Sequence, residues 1–174
     1  MYGHVQWHLA LAEWQLGLFD QAWQRYERYC APETTSVGPV LTLADCGGFL
    51  LREYLRTGVT RPVSPAVSSL FDRFGSMLSH PFIALHVAGI QASAGDLASL
   101  ERTSATVAAK ESTEQSQLSL RLVDALTHFA KRRYAEAAET LRSVSPDQRV
   151  AVGGSYVERA LIDLLEDRAL ELAG

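Results

Sequence analysis

Apolar positions recur every three to four residues along nearly the whole chain, and alternating β-branched runs are almost absent. That periodicity predicts helices at about 3–16, 19–31, 38–57, 64–78, 81–94, 96–110, 114–131, 134–143 and 154–172. The breaks carry helix-stop chemistry. Gly17 closes the first helix, Asp20 opens the second, and Pro32 ends it. Gly58, Pro62 and Pro65 separate the third from the fourth. His80-Pro81 restarts the chain, Gly95-Asp96 forms a tight turn, and Pro146 ends the eighth helix. Short gaps favour antiparallel neighbours. The expected fold is therefore all-α and about nine helices long.

Pairs of these helices repeat a pattern. Gly17-x-Phe19-x-x-Ala22-x-x-x-Tyr26 matches the second half of the tetratricopeptide repeat. The glycine permits the turn, the aromatic plugs the hairpin, and the alanine lets two helices approach. Leu9 and Ala10 fall where the pattern wants Leu and a small residue, although Gln6 takes the usual tryptophan place and Trp7 lies one residue on. Tyr134-x-x-Ala137-x-x-x-Leu141 repeats the signal, and Gly95-x-Leu97 is a poorer copy with Leu100 in the small position. The separations are 37 residues from Leu97 to Tyr134 and 78 from Phe19 to Leu97, close to one and two repeats. The expectation is one domain over 1–174, with hairpins at 3–31, 38–78, 81–110 and 114–143. They wind into a short right-handed superhelix closed by a capping helix at 154–172. An unrelated helical bundle is the competing reading.

The order of several short motifs resembles one branch of that superfamily, the tetratricopeptide repeat protein thirty-eight family. They are His4-x-x-Trp7-His8-x-x-Leu11, Gly17-x-Phe19-x-x-Ala22, Asp45 to Arg52 with Leu50 between, Phe82-x-x-x-His86, and Gly153-Gly154-Ser155-x-x-x-Arg159. Glu158 and Ala160 replace the Gln and Asp that flank this arginine in relatives, and the Asp45 segment carries one extra residue before Gly58. The resemblance implies the C-terminal half of a longer family architecture, with Met1 just before a mid-chain repeat. The first helix would then lack its upstream neighbour, and a second copy would cover it. The resemblance implies a fold and a set of polar positions, not a reaction.

In such repeats the first helix of each pair lines the concave side. Pattern alignment turns His4, Trp7, Leu11, Trp14 and Gln15 inward, with Phe82, Leu85, Gly89, Ala92 and Ser93 from the 81–94 helix. The 114–131 helix adds Ser119, Leu122, Leu126, Phe129 and Ala130. Two readings follow. Either the superhelix closes on itself and these side chains are core, or they form an apolar groove for a protein segment, a peptide or a small apolar ligand. Trp7 and Trp14, seven apart, would anchor such a partner.

Composition narrows the partners. Among 174 residues 47% are hydrophobic and 21% charged, with a net charge of −4 and scattered Lys and Arg. Nucleic-acid binding needs a basic stripe, so that class is disfavoured, as is an anionic membrane. Lys131-Arg132-Arg133 is the only basic run and reads as a solvated turn at a helix C-terminus. No apolar run reaches the ~18 residues of a membrane span, and Cys30 and Cys46 read as reduced thiols of a cytoplasmic protein. The amphipathic last helix suits a cap or a dimer contact, so a homo-oligomer through the first or last helix is expected.

The chemistry rests on one polar set. His4 and His8 are one turn apart, and His86 occupies the same repeat position as His8. Asp45, Arg52 and Arg159 would complete the cluster. A histidine beside a carboxylate does acid–base work near neutral pH, and an i, i+4 pair can hold zinc, but no His-Glu-x-x-His or cysteine cluster supports a metal. A buried network satisfying itself is the plainer reading. Ser155 and Glu158 form a capping box at the last helix. No phosphate loop, nucleophile elbow or dinucleotide fingerprint is present, and no cofactor is expected. Binding through the concave face is the leading expectation, and an enzyme or small-molecule binder built on the six polar residues is the alternative.

Overall fold

The computed structural model describes residues 2–174, and among them there is no strand. Ten helices run α1 Tyr2–Gln15, α2 Phe19–Tyr29, α3 Pro39–Thr57, α4 Pro65–Phe74, α5 Pro81–Ala94, α6 Leu97–Ala108, α7 Glu114–Ala130, α8 Tyr134–Arg142, α9 Pro146–Ala151 and α10 Tyr156–Ala173. One 3-10 turn, Gly75–Met77, follows α4. The all-α expectation holds, with one helix more than the pattern predicted. Pro146 does not merely end α8. It opens α9, where Ser145 accepts from the Gln148 amide and Gln148 answers with its own side chain. Pro39, Pro65 and Pro81 likewise begin helices, because a proline in the first turn forfeits no helical hydrogen bond.

Three hairpin turns share one geometry. Gly17, Gly95 and Arg132 have φ of 77°, 71° and 59°, and each stands two residues before the next helix. In all three the following amide reaches back five residues: Leu18 to Glu13, Asp96 to Gln91, Arg133 to His128. This is the hydrogen-bond pattern of a left-handed helix stop. Ala22, Leu100 and Ala137, at matching positions one turn on, are fully buried.

α1, α3, α5 and α7 lie side by side, each touching the next. α5 is central. It carries no Asp, Glu, Lys or Arg, and every residue from Pro81 to Ser93 is buried, as expected of a helix apolar all round. Close approach needs small residues. An added Cβ on Gly47 would come within 2.9 Å of the His86 carbonyl oxygen, and one on Gly48 within 3.0 Å of the Trp7 ring. The adjacent glycines thus seat α5 on one side of α3 and α1 on the other.

α10 does more than close the row. It packs on α8 and also on α3, burying Leu161, Ile162 and Leu165 completely, each worth about 1.5–3 kcal/mol. Arg52 Nη2 donates to the Val157 carbonyl across that contact at 2.6 Å. The hydrophobic core is one continuous cluster from Trp7 to Ala169.

Candidate functional site

The apolar inner wall is not an open groove. Trp7, Leu11, Phe82, Leu85, Leu122, Leu126 and Phe129 are all buried, Gly89 with them. Trp14 and Ala130 are half-buried, and the Trp14 indole N–H donates to Glu53 Oε1 at 2.5 Å. α1, α3, α5 and α7 pack directly on one another, and α10 lies over α8 and α3 instead of leaving that side open. What stays open beside it is a cleft of about 330 Å³ between Trp14, Leu55, Arg56 and Leu164, Arg168.

Five of the six polar candidates do come together where α1, α3 and α5 meet. His4 Nδ1 and Asp45 Oδ1 are 2.8 Å apart, joining α1 to α3. The His8 ring, exposed, packs edge-on against His4 at 4.8 Å and against Trp7 at 4.9 Å. Asp45 and Arg52, seven residues apart, share a face of α3. The Arg52 guanidinium donates to the Gly48 carbonyl at 2.8 Å and to Val157, and lies 5.9 Å from the Trp7 ring centre. His86, on α5, donates from Nδ1 to the Phe82 carbonyl at 2.7 Å. A carbonyl only accepts, so the proton sits on Nδ1 and Nε2 presents a lone pair.

Arg159 stands apart, its guanidinium bonded to the Gly154 carbonyl at the start of its own helix. Its neighbour Glu158 takes the place instead. That carboxylate is buried, accepts from the Ser155 amide at 2.5 Å, and its charge acts on His8, Asp45, Arg52 and His86. The capping box was visible in the sequence; that the same carboxylate also faces the histidines depends on α10 lying over α3.

Burial sets the electrostatics. It pushes the Asp45 carboxyl up to about 6, against the downward pull of the His4 hydrogen bond and charge. It lowers the imidazolium pKa of His86, and that of His8, where the positive charge of His4 adds to it. Arg52 is brought down to about 10 by the same cause. Three fully or almost fully buried polar atoms of this cluster have no hydrogen-bond partner among the described residues: Trp7 Nε1, Asp45 Oδ2 and His86 Nε2. Each is a buried donor or acceptor of the kind that a bound water or a small polar group satisfies. A carboxyl titrating near 6 beside an imidazole is equipped for proton transfer.

Among the described residues no group of three or more His, Cys, Asp or Glu side chains is placed to hold a metal ion. None of the helices described is long and apolar enough to cross a membrane. Cys30 and Cys46 are free and buried, with burial pushing both thiols up to about 12. Comparison with protein-family models, with curated proteins and with solved structures gives no match.

Proposed function

We propose that this chain is a helical-repeat binding module of the tetratricopeptide type, and that it engages a second copy of itself through the outer face of α1. The repeat reading is supported by the three equivalent turns at Gly17, Gly95 and Arg132. The observation that carries the binding reading is a stripe opposite the buried Trp7 side. Tyr2, Val5, Leu9 and Leu16 are 44–75% exposed, with Ala12 exposed between them. Their spacing of three, four, three and four residues makes a seam along the helix.

That seam is self-complementary. In an antiparallel pair Leu9 meets its own copy, Val5 faces Ala12, and Tyr2 faces Leu16, the arrangement a two-fold contact requires. The helix has one acidic side chain, Glu13, already bound by Arg25 at 2.5 Å, so no like charges meet in the seam. The cytoplasm is the compartment that fits its two free thiols.

Light scattering tests this. At tens of micromolar the expected mass is twice 19.1 kDa, and Leu9→Glu, which sets two carboxylates face to face, should give a folded monomer. A wild-type monomer at several hundred micromolar would end the reading.

A second reading has its own support. The orphaned atoms of Trp7, Asp45 and His86 suit a small polar ligand or substrate at the His4–Asp45 pair, as an enzyme would use them. A hydrolytic activity lost in Asp45→Asn, with the fold intact by circular dichroism, would favour it.

A further inference from the structure

A cleft of about 410 Å³ opens on another side of the molecule, between α2, α3 and the connection from Gly58 to Ser64. Its wall is aromatic. Trp23 and Tyr26 lie nearly parallel with ring centres 5.4 Å apart, the buried Phe49 ring backs them at 5.0 and 4.5 Å, and Tyr54 continues the wall. Its mouth is acidic. Glu27 and Glu33 are exposed there, and among the described residues neither enters an ion pair. Glu53 also reaches the cleft, but Arg56 holds its carboxylate at 2.9 Å.

One cation already sits in this place. The Arg61 guanidinium carbon lies 5.0 Å from the Trp23 ring centre, and Arg61 forms no ion pair among the described residues. Its amide donates to the Ser93 carbonyl at 2.9 Å, which ties the connection to α5 while the side chain stays exposed. A planar guanidinium suits an indole face, through both stacking and attraction to the ring's negative face. Two free carboxylates at the mouth match its charge and its forked donors.

We propose that the cleft receives an arginine side chain of a partner peptide, and that Arg61 occupies the aromatic face until that arginine displaces it. The site is separate from the outer face of α1, so neither reading depends on the other. Removing Arg61 should then strengthen binding, whereas a purely structural Arg61 would give no gain.

The test uses the whole chain and the blocked tripeptide N-acetyl-Gly-Arg-Gly-amide, followed by nuclear magnetic resonance at the Trp23 indole and the Val59–Ser64 amides. The tripeptide should bind in the millimolar range, and its citrulline counterpart, equal in shape but neutral, should not. Arg61→Ala should tighten binding about threefold to tenfold, and Glu27→Gln with Glu33→Gln should weaken it by a similar factor, the range of a partly desolvated cation–π contact. Those two glutamates are exposed, so the variant keeps its fold, whereas Trp23 packs against the core and is left in place. Equal binding of the citrulline peptide, no tightening in Arg61→Ala, or no binding to either protein overturns the proposal. Equal binding of free arginine, whose carboxylate the glutamates repel, overturns its assignment to a peptide.

Discussion

Arg52 and Val157 are 105 residues apart, and the guanidinium of the first donates to the backbone carbonyl of the second at 2.6 Å. Arg52 is almost fully buried and among the described residues has no bonded carboxylate; the Gly48 and Val157 carbonyls and the Trp7 ring receive its charge. Removing it takes a second donor from the buried Gly48 carbonyl and from the half-buried Val157 carbonyl, and leaves a cavity between α3 and α10. Arg52→Ala should cost roughly 3 kcal/mol in urea unfolding, and hydrogen exchange should quicken first at Tyr156–Leu161. Arg52→Lys, with one ammonium for two divergent acceptors, should recover less than half.

Asp45 gives a pH signature with a definite sign. Its folded carboxyl titrates near 6, above its ordinary 3.8, so the folded state binds the proton more tightly than the unfolded chain. This group therefore adds stability as pH falls from about 6 towards 4, and costs stability above 6. Asp45→Asn, which mimics the protonated carboxyl, should raise the unfolding free energy by up to roughly 3 kcal/mol at pH 7, and most of that advantage should vanish near pH 4. His86 acts in the opposite sense: its lowered pKa favours the neutral ring, so its share is lost as pH falls through and below 6.5. Comparing melting curves of the two proteins across that window isolates the carboxyl.

The turn at Arg132 offers a gain. An L side chain at φ 59° carries a penalty of about 1–2 kcal/mol that glycine escapes. Arg132→Gly should raise stability by about 1 kcal/mol, net of glycine's larger unfolded-state entropy. Gly95→Ala should do the reverse, because its Cβ would also meet Thr60 at 3.1 Å. Thermal melts of both variants check the pair.

Gly47→Ala should be among the most damaging single changes. The new methyl would meet backbone at 2.9 Å, and backbone of a buried helix cannot step aside as a flexible side chain can. A loss of roughly 2–3 kcal/mol is expected by chemical denaturation, while Gly38→Ala, with open space around it, should have far less effect.

Much of the helical layout could be read directly, since glycines, prolines and capping serines announce turns by local chemistry. The turn at Lys131-Arg132-Arg133 was readable in position but not in geometry. Nothing in Lys131-Arg132-Arg133 marks a left-handed residue; the hydrogen bonds back to His128 and Phe129 and the buried Ala137 impose it. The His4–Asp45 contact was legible as a set of residue types, although 41 positions separate the two. Arg159 and Glu158 were interchanged in importance because both sit in the first turn of α10 and only its orientation decides which one faces the histidines. The exposure of the inner wall was illegible for the same reason. A stripe such as Leu161, Leu164 and Leu165 suits an end cap or an inward-lying helix equally, and the choice is made by contacts with α3, more than a hundred residues earlier.

A row of hairpins joined only to their neighbours can fray from either end, one unit at a time. Here α10 is bolted to α3 as well as to α8, so the intervening units are enclosed in a loop of contacts. Melting of the last helix withdraws support from the third, and melting of the third releases the last. The segment from α3 to α10 should therefore lose its structure in one concerted step, leaving only the first hairpin free to fray on its own.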